Sequence, residues 1–310
     1  MADILAQFAG RAKRVRFVGL AALGIIAGLG QAPFDLWPAT VLALGVFFLI
    51  YPMGQSARQT AFHAWAFGLG YFAFSLRWIV EPFLIDIARH GWMAPFALVL
   101  MGAGAALFWA LAGWLAFRLA PRSIFLFGLF LVGAEVLRSL ILTGFPWALL
   151  GHVWVPTGLA QMAGFGGPHL LTFLVVLCGW AIALLMHRQR IIGLVVLGLL
   201  VAMSFVLRPG PLLQAPADLP IVRLVQPYAP QDQKWDPAFR DVFLNRLIQL
   251  TGEGEVPDLV VWPETAIAFL LNHIDDDLSL LSDAARGAPL VFGIQRRDAE
   301  ARAYNSLVVM

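Results

Sequence analysis

The stretch DLVVWPETAI, Asp258 to Ile267, decides how the last third of this chain is read. Leu259 to Trp262 form a continuous apolar run, as in a strand buried in a parallel sheet. Pro263 has no N–H to give a ladder and stops the run. The carboxylate of Glu264 is then held just past the C-terminal end of the strand, where open α/β sheets present their active sites. WPE alone is a weak motif, whereas strand, proline stop and carboxylate in that order are moderately specific. A partly desolvated glutamate at such a position can act as a general base.

The flanking sequence supplies a layered α/β unit around this strand. IVRLVQ, Ile221 to Gln226, reads as a short strand, and PYAPQDQKW, Pro227 to Trp235, as a loop. Asp236-Pro237 opens a helix, with aspartate as N-cap and proline at the first helical position. That helix runs to about Leu250 and stops near Gly252. A second helix starts at about Asp275 and ends near Gly287. PLVFGIQ, Pro289 to Gln295, and YNSLVVM, Tyr304 to Met310, read as strands of a hairpin. Asp275, Asp276 and Asp277 beside His273 invite a metal reading, but carboxylates opening a helix complement its dipole, and that reading is preferred.

The first two thirds differ in kind. The 310 residues are 60% hydrophobic and 13% charged, with mean hydropathy +0.78. A soluble domain carries about 25% charged residues, so the composition is that of a membrane protein. Residues 1–209 hold 13 Lys/Arg against 5 Asp/Glu, a net +8, whereas residues 210–310 hold 8 against 14, a net −6. A membrane region over 1–209, a proline-rich linker over 210–220 and an acidic water-exposed region over 221–310 follow. The basic residues lie between apolar runs, with no basic patch interleaved with exposed aromatics, so no nucleic-acid partner is indicated. The single cysteine, Cys178, allows no internal disulfide and no CxxC motif.

Seven apolar runs can be drawn, at 17–30, 37–53, 61–80, 92–117, 123–142, 159–186 and 191–207. A span needs about 20 residues, so the third to sixth are long enough and the others are short or marginal. The first, after Arg11, Lys13, Arg14 and Arg16, is read as a retained helix, since no small-residue cleavage site follows it. With the N-terminus inside, nine Lys/Arg fall in inner segments and four in outer ones, which favours that orientation and places the region after Arg208 outside. Gly24 and Gly28 form a GxxxG pattern suited to close helix packing. GFGGPH, Gly164 to His169, lacks the Lys-Ser/Thr of a phosphate loop and reads as a helix entry or kink. His63, His90, His152, His169 and His187 show no metal-ligand spacing and read mostly as interfacial or helix-end residues. GFPW, Gly144 to Trp147, and Trp154 read as interfacial anchors. Glu135 and Arg138, spaced i, i+3, share a helix face at membrane depth. Two readings stay open for them: mutual stabilisation, or the lining of a functional cleft.

VVWPET resembles the catalytic-glutamate segment of bacterial apolipoprotein N-acyltransferases, membrane enzymes with a nitrilase-like domain. QAPFDLWP (31–38), EVLRSLILTGFPW (135–147), GLAQMAGFGGPHLLTF (158–173), LVQPYAPQDQKWDP (224–237), GIQRR (293–297) and YNS (304–306) resemble further segments of that family, in its order and over nearly the whole chain. The resemblance implies a multi-span α-helical membrane domain of about seven helices. It is followed by the N-terminal portion of a periplasmic nitrilase-like αββα sandwich, with the N-terminus cytoplasmic and the protein in the bacterial inner membrane. It implies acyl transfer from a phospholipid to the α-amino group of a diacylglyceryl-cysteine on an apolipoprotein, through a thioester, with no cofactor and no metal. Glu264 takes the general-base role by motif match. Trp235 matches a family position associated with the substrate cleft, and Gln226 and Asn305, which lie in matching segments, are assigned to substrate binding with it. The family's lysine, which supports the oxyanion, and its cysteine nucleophile follow the segment matching YNS, and no residue here matches either. Cys178 lies mid-run, about 15 Å from the aqueous side at 1.5 Å per residue, and reads as a packing residue. The expectation is therefore a fragment, inactive alone, with exposed sheet edges and an uncovered sheet face. Two other classes stay in view: a membrane-tethered nitrilase or amidase acting on small amides, and a non-catalytic membrane protein such as a transporter.

Overall fold

The computed structural model describes residue 7 and residues 11–186, 189–207, 218–230 and 233–310; the side chains of residues 275–277 are not described. The expected linker lies mostly outside these residues, as do His187, Arg188 and Arg208. The chain divides into two compact units, Met1–Leu212 and Leu213–Met310.

Each of the seven apolar runs is a helix in the first unit: α1 (Lys13–Gly28), α2 (Trp37–Ile50), α3 (Ala57–Ser75), α4 (Ala94–Leu119), α5 (Ile124–Leu140), α6 (Ala163–Leu185) and α7 (Arg190–Val206). Their starts follow local chemistry. The Ser56 hydroxyl accepts from Gln59 N–H to cap α3, and Ser123 accepts from Leu126 N–H to cap α5. Among the described residues, two helical stretches are long and apolar enough to cross a membrane, Ile87–Leu119 and Gly158–Leu185. The helices Trp37–Met53 and Arg190–Val206 are apolar but shorter.

Glycines let the helix backbones touch. A Cβ added at Gly24 would lie 2.0 Å from the Phe67 carbonyl oxygen, and one at Gly70 would lie 1.9 Å from that of Ala21. α1 and α3 therefore pack backbone to backbone, the close approach that small residues permit. Aromatic rings fill the remaining core: Phe47 stacks on Phe67 at 4.5 Å and Tyr51 on Phe127 at 4.3 Å. Cys178 is buried in this core, as a packing residue would be. The GFGGPH segment is a kink within α6, where Gly166 and Gly167 leave helical geometry, Gly167 with φ +64°, ahead of Pro168.

One expectation fails here. Trp154 is not an interfacial anchor; it is buried, its ring 5.4 Å from that of Trp37, because the turn of 3-10 helix at Leu150–Trp154 folds inward onto α6. Its neighbour Trp147 stays exposed. His63, in the second turn of α3, is buried, an exception among the histidines read mostly as interfacial or helix-end residues.

The second unit holds a four-stranded sheet in the order β1 (Val222–Leu224), β2 (Leu259–Val261), β3 (Leu290–Arg297), β4 (Ala303–Val309). β1–β2 and β2–β3 are parallel and β3–β4 antiparallel. The crossovers are α8 (Pro237–Gly252) and, between β2 and β3, α9 (Asp275–Ala285). Asp236 caps α8 by accepting from Ala238 N–H, with Pro237 at its first position. β1 and β2 are shorter than the apolar runs, because Pro227 and Pro263 follow them closely. Leu244 and Leu247 of α8 and Leu281 and Ala285 of α9 pack on Val260, Trp262, Leu290, Phe292 and Ile294. The opposite face is apolar and bare: Leu224 is 77% and Leu307 69% exposed.

Candidate functional site

The site is built on the end of β2. Val225 N–H donates to Val261 O at 3.0 Å and Trp262 N–H donates to Val291 O at 2.9 Å, so the strand is paired on both sides up to its last residue. Trp262 is buried and its indole N–H donates to the Thr251 hydroxyl at 2.9 Å. The chain then turns: Thr265 takes φ +47°, and Thr265, Ala266 and Ile267 take the buried positions. Glu264 is thereby turned outward. It is exposed, not partly desolvated as the sequence reading expects, because the next three side chains occupy the core side of the turn.

β3 holds the turn in place. Gly293 N–H donates to Pro263 O at 3.3 Å, and Ala266 N–H donates to Gly293 O at 2.9 Å. A Cβ at Gly293 would stand 2.7 Å from both Glu264 Cα and Thr265 N. From sequence this glycine falls within PLVFGIQ and GIQRR but receives no packing role. Its signal was available, since an isolated glycine inside a strand pattern marks close backbone approach. Gly293→Ala is expected to displace residues 264–265 and to cost roughly 1–3 kcal/mol, the range for overpacking; thermal unfolding of the variant against the parent checks it.

The antiparallel register brings in Asn305. It pairs with Gln295 across β3–β4, and its side-chain amide donates to Glu264 Oε1. Gln226 lies one residue past Val225, near the end of the parallel neighbour, and its side-chain oxygen accepts from Tyr228 N–H. Trp235 is 43% exposed, with the Lys234 ammonium 5.6 Å from its ring centre. Of the four residues singled out from sequence, hydrogen bonding joins Glu264 to Asn305. Gln226 and Trp235 sit in and beside the segment leading from β1 to α8. No group of three or more His, Cys, Asp or Glu converges among the described residues.

A second polar centre lies inside the helical unit. Arg138 and Glu135 are both buried, 2.9 Å apart. Glu135 Oε1 also accepts from the Trp109 indole N–H at 2.8 Å. Arg138 Nη1 donates to the Phe145 and Trp147 carbonyls, at 2.5 and 2.8 Å. The Tyr71 hydroxyl donates to Ala148 O, and the Gln31 amide donates to Leu149 O and to the Tyr71 oxygen. Arg138 further borders an apolar cavity of about 510 Å³ between α4 and the turn after α5. The two side chains thus stabilise each other, and Arg138 alone of the pair also stands at a cleft.

A mostly helical protein with apolar helices of membrane-crossing length, joined to a small mixed sheet bearing a carboxylate at a strand end, is the class these features define. The model of the family described as the apolipoprotein N-acyltransferase N-terminal domain matches residues 23–181. Proteins named apolipoprotein N-acyltransferase are similar to the chain in several bacteria. That of Caulobacter vibrioides is 34% identical over 81% of this chain and 50% of its own length. That of Brucella melitensis is 33% identical over 92% and 59%, and that of Azotobacter vinelandii 35% over 93% and 59%. The chain belongs to the apolipoprotein N-acyltransferase family. It spans between half and three fifths of the length of these relatives.

Proposed function

We propose that this chain supplies the membrane part and the general base of an enzyme that transfers an acyl chain from a phospholipid to the α-amino group of a diacylglyceryl-cysteine on an apolipoprotein. The observation that carries this reading is Glu264, fixed at the end of a fully paired strand and bonded by the Asn305 amide. In the first half-reaction a thiol attacks the phospholipid ester. Glu264 removes the thiol proton, the acyl group forms a thioester, and the lysophospholipid leaves as its alcohol. In the second, the amine attacks the thioester, Glu264 takes a proton from nitrogen, and the thiol is released. Splitting one difficult transfer into two is the gain of covalent catalysis. By the family resemblance, the thiol and the lysine that supports the oxyanion follow the segment that YNS, Tyr304 to Ser306, matches. Asn305 orients Glu264, and Trp235 and Gln226 line the approach for substrate.

The helices cross the inner membrane with the N-terminus cytoplasmic, a reading supported by the Lys/Arg bias of the loops. The sheet unit is then periplasmic, and its bare face, with Val222, Leu224, Leu307 and Val309 exposed, is the kind that a second layer of a nitrilase-like sandwich covers. A chimera that continues this chain with the remaining sequence of the Caulobacter vibrioides relative tests the reaction. Phospholipid labelled in its acyl chain is expected to label the enzyme through a thiol-sensitive bond and then a diacylglyceryl peptide. Hydrolysis of small amides with no lipid label would overturn the proposal.

A further inference from the structure

One end of the helical unit carries a cluster that the proposed chemistry leaves unused. α1 and α3 run parallel: Phe17 meets Phe62 at 6.1 Å, and Gly24 meets Phe67 and Tyr71 farther along. Their N-termini therefore lie side by side. Between them opens a cavity of about 400 Å³, walled by Lys13 and Arg16 of α1 and by Ser56, Arg58 and Gln59 at the start of α3. No carboxylate is among the described residues that line it. His63 also lines it, 3% exposed, and its Nδ1 is buried with no hydrogen-bond partner.

Each part of this arrangement suits a multivalent anion. α3 is 19 residues long, and the start of such a helix offers backbone N–H groups and a partial positive charge. Three cationic side chains surround the same space. Ser56 accepts from Gln59 N–H, which leaves its hydroxyl proton to donate. A buried imidazole nitrogen with no partner is costly unless a ligand satisfies it. A phosphate offers several acceptor oxygens to such a set, and a basic pocket between helix ends is how headgroups of anionic lipids are held. A lone surface lysine cluster would lack the buried imidazole.

We propose that this cavity binds a phosphate-bearing anion, either the headgroup of an anionic phospholipid or free phosphate, between the N-termini of α1 and α3. It lies at the end of the bundle opposite the turn that Arg138 holds: Thr60, near the start of α3, donates to Gly113 O toward the end of α4, and α5 runs from that end toward the turn. It is thus independent of the acyl-transfer reading, and neither depends on the other's test.

The test uses the whole chain in neutral detergent, exposed to phosphatidylglycerol or phosphatidylcholine, with retained lipid read by native mass spectrometry. Phosphatidylglycerol is expected to be retained in preference. Lys13 and Arg58 are exposed, so K13Q/R58Q preserves the fold and is expected to lower retention roughly tenfold, in line with the attraction of an anionic headgroup to nearby cations. R118Q/R122Q removes two charges from the same end of the unit but outside the cavity and is expected to leave retention unchanged. If millimolar inorganic phosphate displaces the lipid from the parent chain but not from K13Q/R58Q, the site accepts free phosphate; if it does not compete, the site is specific for a lipid headgroup. Equal retention of the two lipids together with no binding of inorganic phosphate that K13Q/R58Q weakens, or equal losses in the two double variants, would overturn the proposal.

Discussion

Glu264→Gln is expected to lower acyl transfer by about 10²- to 10⁴-fold, the usual contribution of a general base, when placed in the chimera described above. The substitution is close to isosteric. The new side chain would keep an amide oxygen to accept from Asn305, and the turn is held by Gly293 through backbone bonds that do not involve the side chain. Folding should therefore be unchanged, which thermal unfolding can establish on the same sample. What is lost is the ability to take a proton. In the proposed mechanism both half-reactions need that step, so thioester formation and its resolution by an amine should fall together. If thioester formation persisted at the parental rate, Glu264 would not be the base. Asn305→Ala is a useful companion, because it removes the orienting bond and leaves the carboxylate. A loss of roughly tenfold is expected for it, the worth of about one hydrogen bond. A loss as large as that of Glu264→Gln would mean that the amide contacts the reacting atoms itself.

The two features of the site differ in how far sequence reveals them. Pro263 and the apolar run ahead of it are sufficient to place Glu264 at a strand end, because a missing N–H stops a ladder whatever surrounds it. Asp236-Pro237 is equally local, and so is the glycine-proline kink of α6. The exposure of Glu264 is not local. It depends on Thr265, Ala266 and Ile267 taking the core side of the turn, and no periodicity fixes that choice. The contact with Asn305, 41 residues away, exists because the β3–β4 register pairs Gln295 with Asn305; family resemblance marks the residue, but only the register gives it a partner. In the helical unit, i, i+3 spacing is enough to pair Glu135 with Arg138. Their other partners come from Trp109 and from the carbonyls of an irregular turn, which carry no sequence signal. Trp154 shows the same limit in reverse: its composition suggests an interface, and the inward fold of its 3-10 turn buries it.

Arg138→Leu should be among the most destabilising single substitutions in the helical unit, costing about 3–5 kcal/mol, as does breaking one side of a buried ion pair. The side chains of Arg138 and Glu135 are 1% and 0% exposed, so the carboxylate left behind has no water to turn to. The substitution also removes both donors to Phe145 O and Trp147 O. That matters because the turn itself is strained. Leu142, Thr143 and Ala148 adopt φ of +54°, +73° and +53°, a region costing roughly 1 kcal/mol or more for each non-glycine residue. Arg138, Tyr71 and Gln31 together hold its carbonyls, so the strain is balanced by charge-assisted and buried hydrogen bonds. Removing the charge on both sides should be less harmful than removing one. E135L/R138L leaves no buried ion, and its loss should be smaller than the sum of the single variants by roughly 1–3 kcal/mol, the coupling seen for residues in one network. Denaturant unfolding of the four proteins in one detergent measures that coupling. Simple additivity would mean that the pair is incidental to the bundle. A large coupling with faster amide exchange at Phe145, whose N–H donates to Arg138 O at 3.0 Å, would tie the buried pair to the order of the turn beside the cavity.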